Sequence, residues 1–286
     1  MARLPGKVAV VTGASRGAGR GIALALGEAG ATVYVTGRSV RGGPTTGNRP
    51  ETIDETAEAL TTRGGVGIPV RCDHTVDAEV EALFTRVKQE HGRLDLLVNN
   101  AWGGYEMQLD FSPFWETPLR QWELMLTAGV RSHMVTSRFA LPLMLPHRQG
   151  LIVNTTAKMP HKYHGGLFYD VAKTAINRMA FGMAHDLRKY GIAVVALSPG
   201  WMRTEKCLEA FKTDEQNWHK IPDLRKTEST QYVGRAVVAL ATDPTVRQKS
   251  GQLLEVADLA REYGFSDING RQVPPFRELF PELFQD

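Results

Sequence analysis

Tyr169 and Lys173 are the residues of this 286-residue chain whose types and spacing could most directly do chemistry. They stand four apart in the stretch YDVAK, so on a helix they would lie on one face, one turn from each other. A tyrosine with a pKa of about 10 is a poor acid or base at neutral pH, but a neighbouring ammonium favours its phenolate form. The pair could therefore exchange a proton with an oxygen atom. A helical surface can carry the same pair by chance. The rest of the sequence therefore has to show whether this pair does chemistry.

Seven short apolar runs alternate with segments of helical length along the chain. They are KVAVV (7–11), ATVYV (31–35), GIPVR (67–71), LDLLV (94–98), LIVNT (151–155), IAVVAL (192–197) and QLLEV (252–256). Apolar strands that alternate with helices are typical of a parallel sheet covered on both faces. The pattern predicts an α/β fold: a single doubly wound domain over residues 1–286, with a seven-stranded parallel sheet and helices on both faces. Any site is expected at the carboxyl ends of the strands.

Composition argues against several classes of protein. Apolar residues make up 42% of the chain and charged residues 23%, and the net charge of +3 is spread, so no nucleic-acid partner is predicted. No run approaches the roughly 18 apolar residues of a membrane span.

The first residues lead straight into a strand without the features of a signal peptide, which predicts a cytoplasmic protein. Cys72 and Cys207 lack a CxxC spacing, so neither a disulfide framework nor a zinc site is indicated.

The stretch VVTGASRGAG (10–19) follows the first apolar run and opens a predicted helix. A glycine-rich turn in this context lets a phosphate approach backbone N–H groups at the amino terminus of a helix. Its glycines have the spacing GxxxGxG rather than the GxGxxG of the classical dinucleotide fingerprint. The turn predicts a site for the phosphates of a nucleotide, formed by Gly13, Ser15, Arg16, Gly17, Ala18 and Gly19.

This turn resembles the TGxxxGxG turn of the short-chain dehydrogenase/reductase family. The family's other motifs follow in order over nearly the whole chain: NNA at 99–101, Thr156 thirteen residues before Tyr169 in the place of the usual catalytic serine, YxxxK at Tyr169 and Lys173, and SPG at 198–200 followed by Thr204. The stretches ATVYVTGR, FWETP, LATDP and DLAREYGFSDINGR are especially similar to one subgroup of carbonyl reductases in this family and to its bacterial relatives.

The resemblance implies an oxidoreductase that interconverts a ketone, diketone or quinone and its alcohol by hydride transfer. Tyr169 would be the acid and base, Lys173 would adjust its pKa and hold the nicotinamide ribose, and Thr156 would orient the carbonyl. Asp73 resembles the residue that receives the adenine amine. The remaining cofactor contacts implied outside the glycine turn are Asn100, Pro199, Gly200, Met202 and Thr204.

The charge at the end of the second strand predicts which cofactor binds. A carboxylate there would bind the ribose 2′-hydroxyl of NAD, whereas a basic residue would accept the 2′-phosphate of NADP. The strand ends in VTGR at Arg38, with Arg41 close behind and Arg16 in the glycine turn, and it contains no acidic residue. Arginines make forked, charge-assisted contacts to phosphate. The sequence therefore predicts NADP(H) rather than NAD.

Three positions depart from the family pattern. Trp102 replaces the last glycine of NNAG, Ala172 stands where a serine often precedes the lysine, and Gly129 occupies the place of an asparagine that holds a water beside the lysine in many members. These departures motivate a second hypothesis, a catalytically silent nucleotide-binding sensor or scaffold on the same fold. The intact trio of Thr156, Tyr169 and Lys173 argues against it. An enoyl reductase is disfavoured, because that group has a longer spacing between tyrosine and lysine.

Three segments are expected to form the mouth of the site, because loops at the carboxyl ends of the strands do so. They are an insert at about 204–229, the HKYH loop and a carboxyl-terminal extension at about 258–286. Their aromatic and apolar residues predict a hydrophobic carbonyl substrate rather than a charged metabolite. His161 and His164 of the HKYH loop have no third ligand in view, so no metal is predicted, and we expect them to line the mouth or face water.

The region 118–146 is predicted to be an amphipathic helix. By resemblance, this helix and that of Tyr169 form the contact between subunits, which implies a homodimer or homotetramer. Six of its apolar residues are expected to lie mostly in the core: Leu119, Trp122, Met125, Leu126, Val130 and Met134.

Overall fold

Residues 3–104, 106–107, 112–160, 162–163 and 165–284 are described in a computed structural model of the chain. The strands are β1 (Val8–Val11), β2 (Thr32–Gly37), β3 (Val66–Arg71), β4 (Leu96–Asn99), β5 (Gly150–Thr155), β6 (Ile192–Ser198), β7 (Met202–Arg203), β8 (Glu228–Ser229) and β9 (Leu253–Glu255). Seven of them form one parallel sheet in the order β3-β2-β1-β4-β5-β6-β9, and the short β7 and β8 pair separately. The predicted seven-stranded parallel sheet is confirmed.

Helices cover both faces of this sheet. They are α1 (Gly17–Glu28), α2 (Ile53–Thr61), α3 (Asp77–His91), α4 (Leu119–Met125), α5 (Ser132–Met144), α6 (Leu167–Leu187), α7 (Glu205–Ala210), α8 (Thr230–Thr242), α9 (Val256–Tyr263) and α10 (Phe276–Leu279). In β1, Ala9 and Val11 pack into the cluster that holds α1 and α8, while Val8 and Val10 pack into the one that holds α3 and α5. A strand buried on both sides needs apolar residues at every position, which explains the continuous apolar runs.

The order of the sheet reverses between β1 and β4. β1 pairs with β2 on one side and with β4 on the other, in parallel register on both. Chain crossovers therefore leave the sheet in opposite directions from this point, and a crevice opens beyond the carboxyl ends of the two strands. The loops after β1, β4, β5 and β6 all border that crevice.

A π-helical segment, Leu126–Arg131, joins α4 to α5 in the region that was predicted to be one amphipathic helix. Met125 is buried as expected, but the assignment of Leu119, Trp122 and Met134 to the core is wrong, since they are exposed by 74%, 39% and 48%. The wider π turn shifts the helical register, so one stripe with the period of an α-helix cannot run through it. These residues lie on the outer side of α4 and α5.

The insert at 204–229 has an apolar cluster of its own, formed by Leu208, Trp218 and Leu224. The nearly inaccessible Arg203 supports it: its guanidinium lies 3.8 Å from the centre of the Trp218 ring, and its Nη1 donates to the carbonyl of Thr227 at 3.0 Å. This cluster and the buried arginine hold the segment on the molecule.

The carboxyl-terminal extension also packs on the rest of the chain. Phe265 and Leu279 lie against the apolar cluster of α1 and α8, and Phe276 contacts Phe280 with ring centres 4.7 Å apart. No helix among the described residues has the length and apolar character needed to cross a bilayer.

Candidate active site

A cavity of about 990 Å³ lies at the carboxyl ends of the strands. It contains nearly all the residues that the sequence singled out, including Thr156, Tyr169 and Lys173; of the predicted set, only Gly19 and Arg41 do not line it. A smaller cavity of about 370 Å³ lies at the amino ends of the strands, beside Asp95. None of the predicted site residues line it. The larger cavity is therefore the candidate site.

The glycine turn is shaped by close backbone contacts. Gly13 has a φ of +62°, which favours glycine, and a Cβ on Gly19 would lie 2.3 Å from the carbonyl oxygen of Gly13. Position 19 therefore has no room for a side chain. Gly19 contributes to the packing of the turn and does not line the cavity. Asn100 braces the same turn, because its Nδ2 donates to the carbonyls of Thr12 and Gly13, each at 3.0 Å.

A carboxylate already lies at the amino terminus of α1. Glu205 Oε2 accepts a hydrogen bond from the Gly17 backbone N–H at 2.9 Å. Glu205 is the first residue of α7, whose amino terminus Thr204 caps by accepting a hydrogen bond from the Cys207 backbone at 3.2 Å. Glu205 lies 188 residues from Gly17 along the chain, so no local pattern in the sequence indicates this contact. The turn therefore binds an anionic oxygen in this structure, supplied by the protein itself.

Three arginines gather beside the turn, but they are not the predicted three. Arg16, Arg38 and Arg49 line the cavity, whereas Arg41 points away and pairs with the exposed Glu58 at 2.6 Å. Arg49, which the sequence analysis passed over in the loop after β2, pairs with Glu51 and with Glu209 of α7 at 3.1 and 2.6 Å.

The charges around Arg16 act on its guanidinium in opposite directions. Burial lowers the pKa of Arg16, and the positive charges of Arg49 and Arg38 lower it further against the opposing effect of Glu51 and Glu205. Arg38 itself forms an ion pair with Glu106. An anion that entered here would meet Arg38 and Arg49, whose present partners are carboxylates of this chain.

Asp73 lies in the same part of the cavity. Its Oδ1 accepts hydrogen bonds from the Thr75 backbone N–H at 2.9 Å and the Thr75 hydroxyl at 2.7 Å. Burial alone would raise the pKa of Asp73, but these hydrogen bonds and the charge of Arg38 lower it below its ordinary value. The second carboxyl oxygen of this ionised group can accept a hydrogen bond from a ligand.

Tyr169 lies at the start of a long helix. α6 begins at Leu167, after Gly166 with a φ of +69°, so Tyr169 is in its first turn and Lys173 one turn later. The positive end of the helix dipole favours an anionic phenolate at this position. The Lys173 Nζ lies 5.4 Å from the centre of the Tyr169 ring. Burial lowers the pKa of Lys173 to about 7.

Thr156 follows β5 and lines the cavity with the pair. Its hydroxyl donates to the Lys173 backbone carbonyl at 3.2 Å. The hydroxyl oxygen can accept a further hydrogen bond in this position, and the hydroxyl can instead donate to a ligand when its proton turns about the Cβ–Oγ1 bond. One hydroxyl, one phenol and one amine therefore line the same cavity.

A charged link that was not predicted from the sequence lies at the mouth and is formed by Lys158, Glu255 and Arg277. Lys158 Nζ donates to Glu255 Oε2 at 2.8 Å, and Arg277 of the extension pairs with both Glu255 and Asp258. Glu255 ends β9, and a charged residue at the carboxyl end of an apolar strand is the signal that could have revealed it. The link ties the extension to the edge of the cavity.

Aromatic side chains cover the outer part of the cavity. Trp201, which follows the SPG motif, contacts Phe211 of the insert and Phe280 of the extension, with ring centres 5.9 and 6.1 Å apart. Phe276 lines the cavity as well. His161 and His164 lie outside the described residues.

Comparison with known proteins agrees with this architecture. The sequence model of a protein family described as short chain dehydrogenase matches residues 7–215. The chain is 40% identical to dehydrogenase/reductase SDR family member 1 of Mus musculus, over 100% of this chain and 90% of that protein. This is the similarity to a subgroup of the family that the sequence predicted, and it is confirmed.

Solved structures of hydroxysteroid dehydrogenases have the same fold. One from Escherichia coli has a TM-score of 0.72 and 29% identity, covering 89% of this chain and 96% of that one. A 7α-hydroxysteroid dehydrogenase complexed with NADH and 7-oxo-glycochenodeoxycholic acid has a TM-score of 0.71 and 26% identity, covering 88% and 93%.

Proposed function

Since the chain belongs to the short-chain dehydrogenase/reductase family and is an oxidoreductase, we propose that it interconverts a hydrophobic carbonyl compound and its alcohol with NADP(H). The observation that carries this proposal is that one cavity contains both the glycine turn at the start of α1 and the trio Thr156, Tyr169 and Lys173. A nucleotide cofactor held by the first would extend towards the second.

The residues at the turn suit the phosphates of a dinucleotide. The Gly17 N–H already donates to an anionic oxygen, that of Glu205, at the amino terminus of a helix, where helix dipole and free N–H groups favour negative charge. A Cβ on Gly13 would lie 3.0 Å from the Cα of Ala101, so the turn is held close to the loop after β4. Pro199, Gly200 and Met202 border the other side of the cavity.

NADP(H) is proposed over NAD(H) because of the three arginines. Arg16, Arg38 and Arg49 surround the region beyond the end of β2, where the ribose 2′ position of a bound cofactor would lie. β2 itself contains no carboxylate to receive a 2′-hydroxyl. A 2′-phosphate would exchange the carboxylate partners of Arg38 and Arg49 for its own oxygens, in forked contacts typical of arginine.

When bound, the nicotinamide supplies the hydride for a carbonyl carbon or accepts one from an alcohol. Tyr169 donates its phenolic proton to the carbonyl oxygen in reduction and recovers a proton from the alcohol in oxidation. The Lys173 ammonium and the amino terminus of α6 both favour the phenolate. Thr156 orients the same oxygen by a hydrogen bond. The products of reduction are the alcohol and the oxidised cofactor.

A hydrophobic substrate is proposed from the aromatic mouth. Trp201, Phe211 and Phe276 line the outer cavity, and an apolar lining with a few polar groups suits an apolar carbonyl compound such as a ketone, diketone or quinone. Glu255 neutralises the nearby Lys158, which reduces its attraction for an acidic substrate.

We also propose that the protein is a homodimer or homotetramer. Leu119, Trp122 and Met134 on the outer side of α4 and α5 are exposed, and so are Val171 and Phe181 of α6. Neighbouring exposed apolar residues are typical of surfaces that pack against another chain.

Replacing Tyr169 by phenylalanine tests the proposed reaction. The substitution removes the proton donor and keeps the ring, so turnover of any ketone that the parent enzyme reduces should fall by at least about a thousandfold. The Kd for NADPH should stay within about twofold of the parent value, because the phosphate contacts are unchanged. A Phe variant that retains turnover would contradict the assignment.

The alternative of a silent nucleotide sensor has one observation in its favour: Trp102 fills space beside Lys173. Measuring NADPH oxidation by the parent protein with a panel of ketones, quinones and aldehydes separates the two functions. Turnover with any member supports the reductase. Tight NADPH binding without turnover across the whole panel would favour the sensor.

A further inference from the structure

The ammonium of Lys173 faces an indole ring in the interior of the protein. Lys173 is 8% exposed, and its Nζ lies 3.5 Å from the centre of the Trp102 ring. Among the residues that the structure describes, no carboxylate forms an ion pair with it. Burial alone lowers the pKa of Lys173 to about 7, at which half of the charge would be lost at neutral pH.

The Trp102 ring is fixed by two further neighbours. A Cβ on Gly129 would lie 2.4 Å from two carbon atoms of the indole, so the ring occupies the space of any side chain at position 129. Gly129 lies in the π-helical segment between α4 and α5. The indole also contacts the Tyr169 ring edge to face, with centres 5.8 Å apart and planes at 88°. Trp102 thus touches both members of the proton-transferring pair.

The contact geometry is that of a cation–aromatic interaction. The negative face of an indole attracts a cation within about 6 Å of the ring centre, and the attraction grows when both partners are shielded from water. It favours the charged lysine and therefore opposes the effect of burial. A charged lysine in turn favours the phenolate of Tyr169.

We infer that Trp102 is a positioning residue whose indole keeps the Lys173 ammonium charged beside Tyr169, with Gly129 providing the room for the ring. The inference deepens the proposed function and rests on it for the role of Tyr169. Positions 102 and 129 form one unit, because a side chain at 129 displaces the ring that contacts the lysine.

Among the described residues, few other titratable groups face Lys173. Tyr169 lies on the same helix, and His133 faces it from α5. Burial lowers the pKa of His133 to about 3, and the charge of Lys173 contributes to the shift, so His133 stays neutral above pH 5. From the strand side, Thr156 donates to the Lys173 carbonyl and does not titrate. A change in the titration of Lys173 on substitution of Trp102 is therefore attributable to the indole.

The test is to titrate Lys173 directly, by NMR of the full-length protein with ¹³C-labelled lysine, in the parent and in Trp102→Leu and Trp102→Phe. Lys173→Gln assigns the signal. Loss of the aromatic face in Trp102→Leu should lower the Lys173 midpoint by about one pH unit, while Trp102→Phe, which keeps a ring, should shift it by less than half as much. Equal midpoints in the parent and the Leu variant would overturn the inference.

Gly129→Ala provides a second route that leaves the tryptophan in place. Its Cβ should push the ring from the lysine and lower the Lys173 midpoint, but it should have no further effect in a protein that already carries Trp102→Leu. Independent, additive shifts would overturn the inference.

These titrations need no turnover, so they decide the role of Trp102 even if the proposed reaction fails its own test. Where the ketone panel yields a substrate, the pH profile of kcat for the reverse oxidation should move upwards by a similar amount in Trp102→Leu, since the phenolate forms at higher pH. The KM for the cofactor should stay within about twofold, and a superimposable pH profile would count against the inference.

Discussion

The two ends of the large cavity hold their charges in different ways. At the end beside the glycine turn, arginines are paired with carboxylates that the protein could release: Arg38 with Glu106, and Arg49 with Glu51 and Glu209. At the other end, the Lys173 ammonium is buried against aromatic rings and forms no ion pair among the described residues. Because the arginines of the first end are partly exposed to solvent and Lys173 is buried, we call the first the wet end and the second the dry end.

The difference follows from what each end has to bind. Ion pairs near the surface contribute little to stability, so an incoming phosphate can take over the arginines at small cost. A buried charge without a partner is costly, and it persists only where neighbouring groups favour it. The wet end therefore suits exchangeable binding of an anion, whereas the dry end suits a fixed electrostatic field around the phenol of Tyr169.

Arg38→Asp should have the largest effect at the wet end. The change removes a phosphate partner and adds a repelling charge, so the Kd for NADPH should rise by about a hundredfold, while that for NADH should change by less than about threefold. Fluorescence titration with both cofactors measures this. The matched control is Arg41→Asp, which changes an arginine that pairs with Glu58 outside the cavity and should leave both constants unchanged.

Two results would contradict the role assigned to the arginines of the wet end. If the parent protein binds NADH and NADPH equally well, the arginine cluster does not select a 2′-phosphate. If Arg41→Asp weakens NADPH binding as much as Arg38→Asp, the loop after β2 rearranges on binding and the present positions of its arginines do not decide the specificity.

The positions of the arginines near the wet end illustrate what the sequence can predict. Arg38 directly follows a buried strand, and this position at the carboxyl end of a parallel strand fixes where the side chain lies, so its place at the cavity followed from the pattern. Arg41 and Arg49 lie in a Gly- and Pro-rich loop, whose path depends on contacts such as the one from Arg16 to the carbonyl of Thr46. Nothing in the local spacing indicates that Arg49 turns inwards and Arg41 outwards.

The same distinction holds at the dry end. Tyr169 and Lys173 are four residues apart on one helix, so their proximity could be read directly. Trp102 and Gly129 are distant in sequence, and each departs from the pattern of the short-chain dehydrogenase/reductase family. They compensate each other only because the loop after β4 meets the π-helical segment, a contact between elements that no local pattern reveals.

Arg277→Met should have an intermediate effect, at the mouth of the dry end. Arg277 ties the extension to Glu255 and Asp258, and Phe276 beside it lines the cavity. Loosening this link should raise the KM for a hydrophobic ketone by about tenfold and leave the Kd for NADPH unchanged. Removing the chain after Gly264 should have a larger effect or lower the melting temperature, because Phe265 and Leu279 pack on the core.

Arg261→Met is the matched control for this prediction. Arg261 also pairs with a residue of the extension, Glu278 at 2.7 Å, but both partners are about half exposed. It should leave KM unchanged, since exposed pairs contribute little. A KM that is indifferent to both substitutions and to the truncation would show that the extension takes no part in substrate binding.

Glu205→Gln should have the smallest effect, and in the opposite direction. Glutamine keeps an oxygen that can accept the hydrogen bond from Gly17 but loses the charge that would repel a cofactor's pyrophosphate. The Kd for NADP⁺ and for 2′-phospho-ADP-ribose should fall by about threefold at low salt, and the difference should shrink as salt rises.

A fragment without a pyrophosphate separates this effect from a general change at the wet end. Since 2′-AMP would reach the arginines but not the glycine turn, its Kd should be the same for the parent and for Glu205→Gln. An equal gain for 2′-AMP would mean that Glu205 acts through the arginine cluster, to which it adds negative potential near Arg16. A loss of affinity for all three ligands would mean that the carboxylate organises α7 and the turn for binding, and that the wet end does not simply exchange one anion for another.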